Sequence, residues 1–218
     1  MVEHLVPQRY RRVLPRDGET VMAVVLVATM SLDGFIARPD DAVGPLFDWF
    51  TAGDVDVHAG DEQRPFRTGV ESATWMREQW GRIRSGVIGR HLFDHTDGWD
   101  GRPPAGEHVV VLTHTVPTDW AHYGTAPFTF VTEGVEAAVA TARELAGDAD
   151  VSVTAGDVGG QALAAGLVDE VEISLAPVVL GRGKRFFGED APETVLEDPY
   201  LVVPGRRVTH LRYRVRRS

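Results

Sequence analysis

The sequence predicts an α/β fold: a twisted, mostly parallel central sheet with flanking helices and a C-terminal antiparallel hairpin. Three observations carry the expectation. Apolar runs of strand length alternate with stretches of helical period from about residue 70 to residue 181. The first run, VMAVVLVA at 21–28, is β-rich throughout, as a strand buried on both faces requires. The closing segment YLVVPGRRVTHLRYRVRR, from residue 200, holds two strand-like halves around Pro204-Gly205.

The run at 21–28 ends on the polar turn Ser31-Leu32-Asp33-Gly34, after which Phe35-Ile36-Ala37 resume. Residues 38–69 hold three prolines with little period, so a long irregular loop with short helical pieces is expected, and loops of that length are commonly functional. Within it, Asp54-Val55-Asp56-Val57-His58 reads as a solvated stretch. Residues 70–84 place Val70, Ala73, Trp75, Met76, Trp80 and Ile83 near helical spacing. A short strand at 86–88 meets Gly89-Arg90 and a helical turn. Strands follow at 108–114 and 128–133, then a helix at 134–146 with an apolar stripe of Val135, Ala138, Val139, Ala142 and Leu145. A strand at 150–157, a short helix at 159–170 closed by Gly166 and a long strand at 170–181 complete the series.

The 218 residues suit one domain over 21–218 preceded by an arm at 1–20. Zero cysteines exclude disulfides, thiolate metal sites and a cysteine nucleophile, and they fit a reducing, cytoplasmic setting. A formal charge of −10 repels phosphate backbones and anionic membrane surfaces, so neither nucleic acid nor membrane is an expected partner. The apolar run at 21–28 is far below the roughly 20 residues a membrane-spanning helix needs. No serine lies in G-x-S-x-G, and Gly181-Arg182-Gly183-Lys184 lacks P-loop spacing.

A strand ending at Gly89-Arg90 and turning into a helix aims free N–H groups at an anion, and Arg90 can add a bidentate contact; a plain turn with a solvated cation is the alternative. His91 and His95 have metal-ligand spacing but no supporting pattern, so no metal site is expected. Arg212, Arg214 and Arg216 alternate with Leu211, Tyr213 and Val215, which reads as a solvated basic sheet face.

The order of segments SLDGFIA, DWF, VIGRHLFD, GWDGRPP, VVVLTH, FTFVTEGVEAAVATA and GLVDEVEISLAPVVLGRGKRFF resembles the dihydrofolate reductase-like superfamily. It is most similar to the stand-alone relatives of the reductase domain of riboflavin biosynthesis, over about 22–215. The resemblance implies a homodimeric NADPH-dependent oxidoreductase that transfers hydride to a small heterocyclic or carbonyl substrate. It places Ala28 and Thr29 beside the nicotinamide, Ile36 over it, and Gly89, Arg90 and His91 at the 2′-phosphate and pyrophosphate. Leu112, Thr113 and His114 would flank the adenosine, with Thr154, Ala155, Gly156, Asp157 and Val158 at the second phosphate crossing. Asp48, beside Trp49 in a position suited to substrate, is the implied acid, and Asp33 competes for that role and for substrate contact. Two departures stand out: Leu92 where the family reads Thr in Gly-Arg-x-Thr, and Thr154-Ala155 where it reads Gly-Gly. They leave open a catalytically silent ligand-binding protein, or an oxidoreductase that holds a flavin in the same cleft. A fused zinc deaminase is excluded for want of its cysteine ligands.

Overall fold

In the computed structural model, which describes residues 22–58 and 65–216, the chain builds an eight-stranded sheet. The strands are β1 (Val24–Met30), β5 (Ile83–Gly89), β6 (His108–Leu112), β7 (Phe128–Val131), β8 (Asp150–Thr154), β9 (Glu170–Leu175), β11 (Leu201–Gly205) and β12 (Val208–Arg214). Their spatial order is β11-β12-β9-β1-β8-β5-β6-β7. From β9 through β7 every pairing is parallel, while β12 runs antiparallel to both β9 and β11. This is the expected architecture. The arm expected over 1–20 lies outside the described residues.

Strand alternation explains the layers. Val87 and Val110 point into one core with Val24, Leu26, Val151, Val153, Val171 and Ile173, under α4 (Val135–Ala146) and α5 (Asp157–Ala164). Ile88, Val109 and Val111 point the other way, onto Phe93 of α2 (Arg90–Thr96). A strand buried on both faces must be apolar throughout, and β6 is.

A second core lies under α1 (Val70–Trp80), where Ala73, Trp75 and Met76 pack with Trp49, Val57, Val203 and Val208. The loop expected at 38–69 is more ordered than the sequence suggested. It contains a 3-10 helix, Gly44–Thr51, and the hairpin β3 (Val55–His58) with β4 (Pro65–Thr68). Val57 is buried there, so 54–58 is a strand anchored in a core rather than a solvated stretch. A small ribbon of β2 (Phe35–Ala37) with β10 (Lys184–Arg185) forms separately from the main sheet.

The basic face expected on the last strand is also corrected. Arg212 is 2% exposed, because β12 lies between β9 and β11 and its inward residues Val208, His210 and Arg212 face α1. Ser72 and Gln79, two turns apart on α1, meet His210 and Arg212, two residues apart on β12. Helix and strand thus pair polar side chains in step along their lengths. The guanidinium faces Glu170 at 2.7 Å and Glu172 and Asp150, each at 3.5 Å.

Candidate functional site

Two helices begin at the carboxyl ends of neighbouring strands. β5 passes through Gly89 into α2, and β8 passes through Ala155-Gly156 into α5. Open α/β sheets bind ligands in such crevices, where the strand order doubles back. Here the chain moves outward from β5 to β7, then returns to insert β8 between β1 and β5.

Both crossings are shaped around glycine. A Cβ on Gly89 would stand 2.9 Å from Val158 Cγ2, so α5 approaches the end of β5 closely. Gly156 has φ +101°, a conformation open to glycine, and its N–H donates to Phe186 O at 2.8 Å. No side chain at the N-cap position bonds to the start of α5, and the first turn carries the acidic Asp157. Gly160 packs against the carbonyl of Phe187.

Around these glycines the structure brings several expected residues together. Ile36 Cδ1 lies 3.5 Å from where a Cβ on Gly156 would be, which puts β2 over the second crossing. Thr154 ends β8, and the N–H of Ala155 just after it donates to Val27 O, tying the pair to the end of β1. Ala28 and buried Thr29 follow on β1, and Thr29 Oγ1 accepts the Trp49 Nε1–H at 3.3 Å. Asp157 backs onto Gly188, leaving no room for a Cβ there without contact.

Arg90 reaches from α2 to the loop after β6. Its Nε donates to Asp94 Oδ1 at 2.6 Å, and Nη1 donates to Thr115 O at 2.7 Å and Thr113 Oγ1 at 3.4 Å. Nη2 takes part in none of these contacts. A cavity of about 220 Å³ opens beside it, lined by Phe93, Asp94, Asp97, Pro117, Asp119 and Trp120. Leu112 and Thr113 stand at the end of β6, with His114 exposed beyond them. A larger cavity, about 380 Å³, lies away from the crossings, between Gly69 at the start of α1 and the β11–β12 turn.

Both expected acids are engaged by other groups. Asp33 accepts from Ser31 Oγ at 2.6 Å and from the N–H groups of Leu180 and Gly181 at 3.1 and 2.6 Å. Those bonds hold its carboxyl below the usual carboxylate range and fasten the β1–β2 turn to the segment after β9. Asp48 is exposed on the 3-10 helix and lies 3.3 Å from Arg207 in the β11–β12 turn, while its neighbour Trp49 is buried.

Two groupings escaped the sequence reading. One is His210, fully buried between Ser72 Oγ and Ser174 Oγ, each 2.9 Å away. The other is Asp41 with His91 and Lys184. Period-2 alternation of Val208, His210 and Arg212 was a usable signal for the first; the second joins residues too far apart in sequence to leave one.

A family model, the RibD C-terminal domain, matches residues 22–209. No curated protein sequence matches significantly. Solved structures agree on the fold. A riboflavin biosynthesis protein from Shewanella sp. PV-4 is 22% identical with a TM-score of 0.67, covering 90% of this chain and 100% of its own. A pyrimidine reductase-like protein from Corynebacterium diphtheriae is 14% identical at TM-score 0.59, covering 90% and 93%. A diaminohydroxyphosphoribosylaminopyrimidine deaminase/5-amino-6-(5-phosphoribosylamino)uracil reductase from Thermotoga maritima is 16% identical at TM-score 0.53, covering 90% of this chain and 57% of the longer one.

Proposed function

The chain belongs to the RibD C-terminal domain family, within the dihydrofolate reductase-like superfamily, and on that premise we propose that it is an NADPH-dependent reductase of a small heterocyclic or carbonyl substrate. One observation carries the reading. Neighbouring strands β5 and β8 each enter a helix through a glycine, and the two crossings pack against each other through Gly89 and Val158. A dinucleotide needs bare main chain at two such points to settle its phosphates.

The residues fit the cofactor in outline. Asp157 and Val158 would present first-turn N–H groups to the pyrophosphate beside Gly156, whose own N–H is taken by Phe186 O. Arg90, with Nη2 still to donate, would take the 2′-phosphate, and Leu112, Thr113 and His114 would border the adenosine. Once bound, the cofactor supplies hydride from its nicotinamide C4. Ala28 and Thr29 would flank that ring from the end of β1, with the Thr29 hydroxyl oriented by Trp49, and Ile36 would exclude water from above. Asp33 is held ionised by its three hydrogen bonds and serves as a fastener. Asp48 is therefore the carboxylate proposed to relay a proton, after parting from Arg207. The reading includes a cytoplasmic homodimer; among the described residues no helix is long and apolar enough to cross a membrane.

A second reading, a ligand-binding protein without turnover, is favoured by the setting of Arg90. Asp94, Asp97 and Asp119 share its cavity and oppose a phosphate, and Leu92 offers no hydroxyl. Titrating NADPH and NADH against tryptophan fluorescence separates the two. The reductase reading expects saturable binding of NADPH that Arg90→Ala weakens about tenfold, the loss of one charge-assisted contact. No saturable response to either nucleotide would overturn it, and a yellow purified protein would point to flavin.

A further inference from the structure

An aspartate, a lysine and a histidine from separate segments meet beside the first crossing. Asp41 Oδ1 lies 2.5 Å from Lys184 Nζ and 2.8 Å from His91 Nε2, and the two nitrogens are 2.8 Å apart. Asp41 follows β2, Lys184 opens β10, and His91 is the second residue of α2. β2 and β10 pair as a ribbon, closely enough that a Cβ on Gly183 would strike the Ala37 carbonyl.

That ribbon is seated at the other crossing too. Phe186 donates its N–H to Gly34 O and accepts the Gly156 N–H, and Ile36 lies over Gly156. One end of the ribbon therefore rests on the start of α5, and the trio ties it to the start of α2. The ribbon thus spans the two places where the proposed dinucleotide would lay its phosphates, with the trio at one of them.

When Lys184 and His91 both donate to Asp41, the short contact between their own nitrogens is not a hydrogen bond. Nε2 of an imidazole carries either a proton or a lone pair. Accepting from Lys184 requires the lone pair, and donating to Asp41 requires the proton. The three short contacts cannot all be hydrogen bonds at once, so one is left unmade in either protonation state. A second anionic oxygen removes the conflict: Lys184 donates to it while His91, with its proton on Nε2, keeps Asp41. All three side chains retain some exposure, so exchange with a solute is open to them.

We propose that Lys184 and His91 are anion-binding residues of the cleft and that Asp41 is a placeholder, a carboxylate that holds the two donors together until phosphate oxygens of the dinucleotide displace it. The proposal rests on the reductase reading for the identity of the ligand, keeps the expected His91 and adds Lys184 to its site. The hydrogen bonds from Lys184 and His91 hold the Asp41 carboxyl below the usual range, which keeps it charged for this purpose. Asp41 also adopts φ +67°, a left-handed conformation that Asp tolerates better than most residues and that releases strain if the turn opens.

The test measures Kd by calorimetry for NADPH and, separately, for inorganic pyrophosphate, in the wild type, Asp41→Asn and Lys184→Gln. Circular dichroism checks that the variants are folded. The proposal expects Asp41→Asn to tighten NADPH about tenfold, Lys184→Gln to weaken it about tenfold, and pyrophosphate to follow the same order. NADPH binding that neither variant changes, or that Asp41→Asn weakens, overturns the proposal while leaving the reductase reading intact. If the wild type binds no NADPH, the reductase reading fails and pyrophosphate decides: tighter in Asp41→Asn and lost in Lys184→Gln upholds the anion site, and no pyrophosphate binding overturns it.

Discussion

The imidazole of His210 lies flat on the indole of Trp75, with ring centroids 3.8 Å apart and planes 10° from parallel. Trp49 meets the same imidazole edge-on at 5.1 Å, and its own Nε1–H reaches Thr29 at the end of β1. A run of contacts thus connects β12, through two tryptophans, to the lip of the cleft. Apolar rings on two sides exclude water from His210, and the serine hydroxyls satisfy both its ring nitrogens in the neutral form.

The first prediction concerns acid. Burial pushes the His210 pKa down to about 3. Between there and the unfolded value near 6.5 the unfolded chain binds the proton and the native one does not, so stability must fall as pH falls. The slope from this one group is about 1.4 kcal/mol per pH unit. His210→Gln removes it. Urea midpoints should show the variant weaker than the wild type at pH 7, by about 1–3 kcal/mol for lost packing and hydrogen bonds, with the gap closing by pH 4. A gap that stays constant would mean that the imidazole is protonated in the native state.

What the sequence made legible follows the physics of burial. β6 was plain because α4 and α2 cover its two faces, so His108–Leu112 is almost entirely apolar. β1 was expected at 21–28 and stands at Val24–Met30, because its pairing with β9 continues to Met30 opposite Leu175. The helix expected at 70–84 stops at Trp80, since Ile83 already opens β5. Arg212 was misread because its counter-charges, at 150, 170 and 172, come from strands distant in the chain. Asp41 was passed over for the same reason: nothing near it in sequence announces Lys184. At the crossings, Gly89 could be named from strand-to-helix punctuation and Gly156 from the family resemblance, whereas the commitments of Asp33 and Asp48 depend on the three-dimensional neighbours that hold them.

Gly160→Ala should separate α5 from the segment after β10. The added Cβ meets the Phe187 carbonyl, and a backbone atom can retreat only by moving its segment. Overpacking of this kind costs about 1–3 kcal/mol. Gly166→Ala is the control, with φ +68° and open space around it, so it carries only the left-handed penalty of about 1–2 kcal/mol. Both variants should melt earlier. Only Gly160→Ala should also weaken NADPH, because Phe186 next door anchors the Gly156 N–H.

Asp33→Asn tests the fastening of the turn. Asparagine can still accept hydrogen bonds, but without the charge that draws three donors to one carboxylate. Amide hydrogen exchange at Leu180 and Gly181 should accelerate while the strands of the main sheet keep their protection. The lowered carboxyl pKa fixes the sign: in the wild type the fastening is present at neutral pH and is lost as pH falls through that lowered value. Unchanged exchange at Gly181 would show that the segment is held by something else.

Glu172 offers the opposite pH dependence. It is buried beside Arg212, whose Nε is already taken by Glu170 at 2.7 Å and whose Nη2 lies 3.5 Å from Asp150. Desolvation raises the Glu172 pKa to about 7, Arg212 pulls against that, and Glu170 adds to it. Between about 4.5 and 7 the native protein holds a proton that the unfolded chain has released. Stability from this group therefore falls as pH rises, by about 1.4 kcal/mol per unit, and the penalty is complete above pH 7. Glu172→Gln keeps the shape and stays neutral. Its urea midpoint should lie near or slightly below the wild type at pH 5 and above it at pH 8, by the equivalent of about 1–3 kcal/mol. The two stability curves should cross. A variant weaker at both pH values would show that Glu172 is ionised in the native state and that its attraction to Arg212 exceeds the cost of burial.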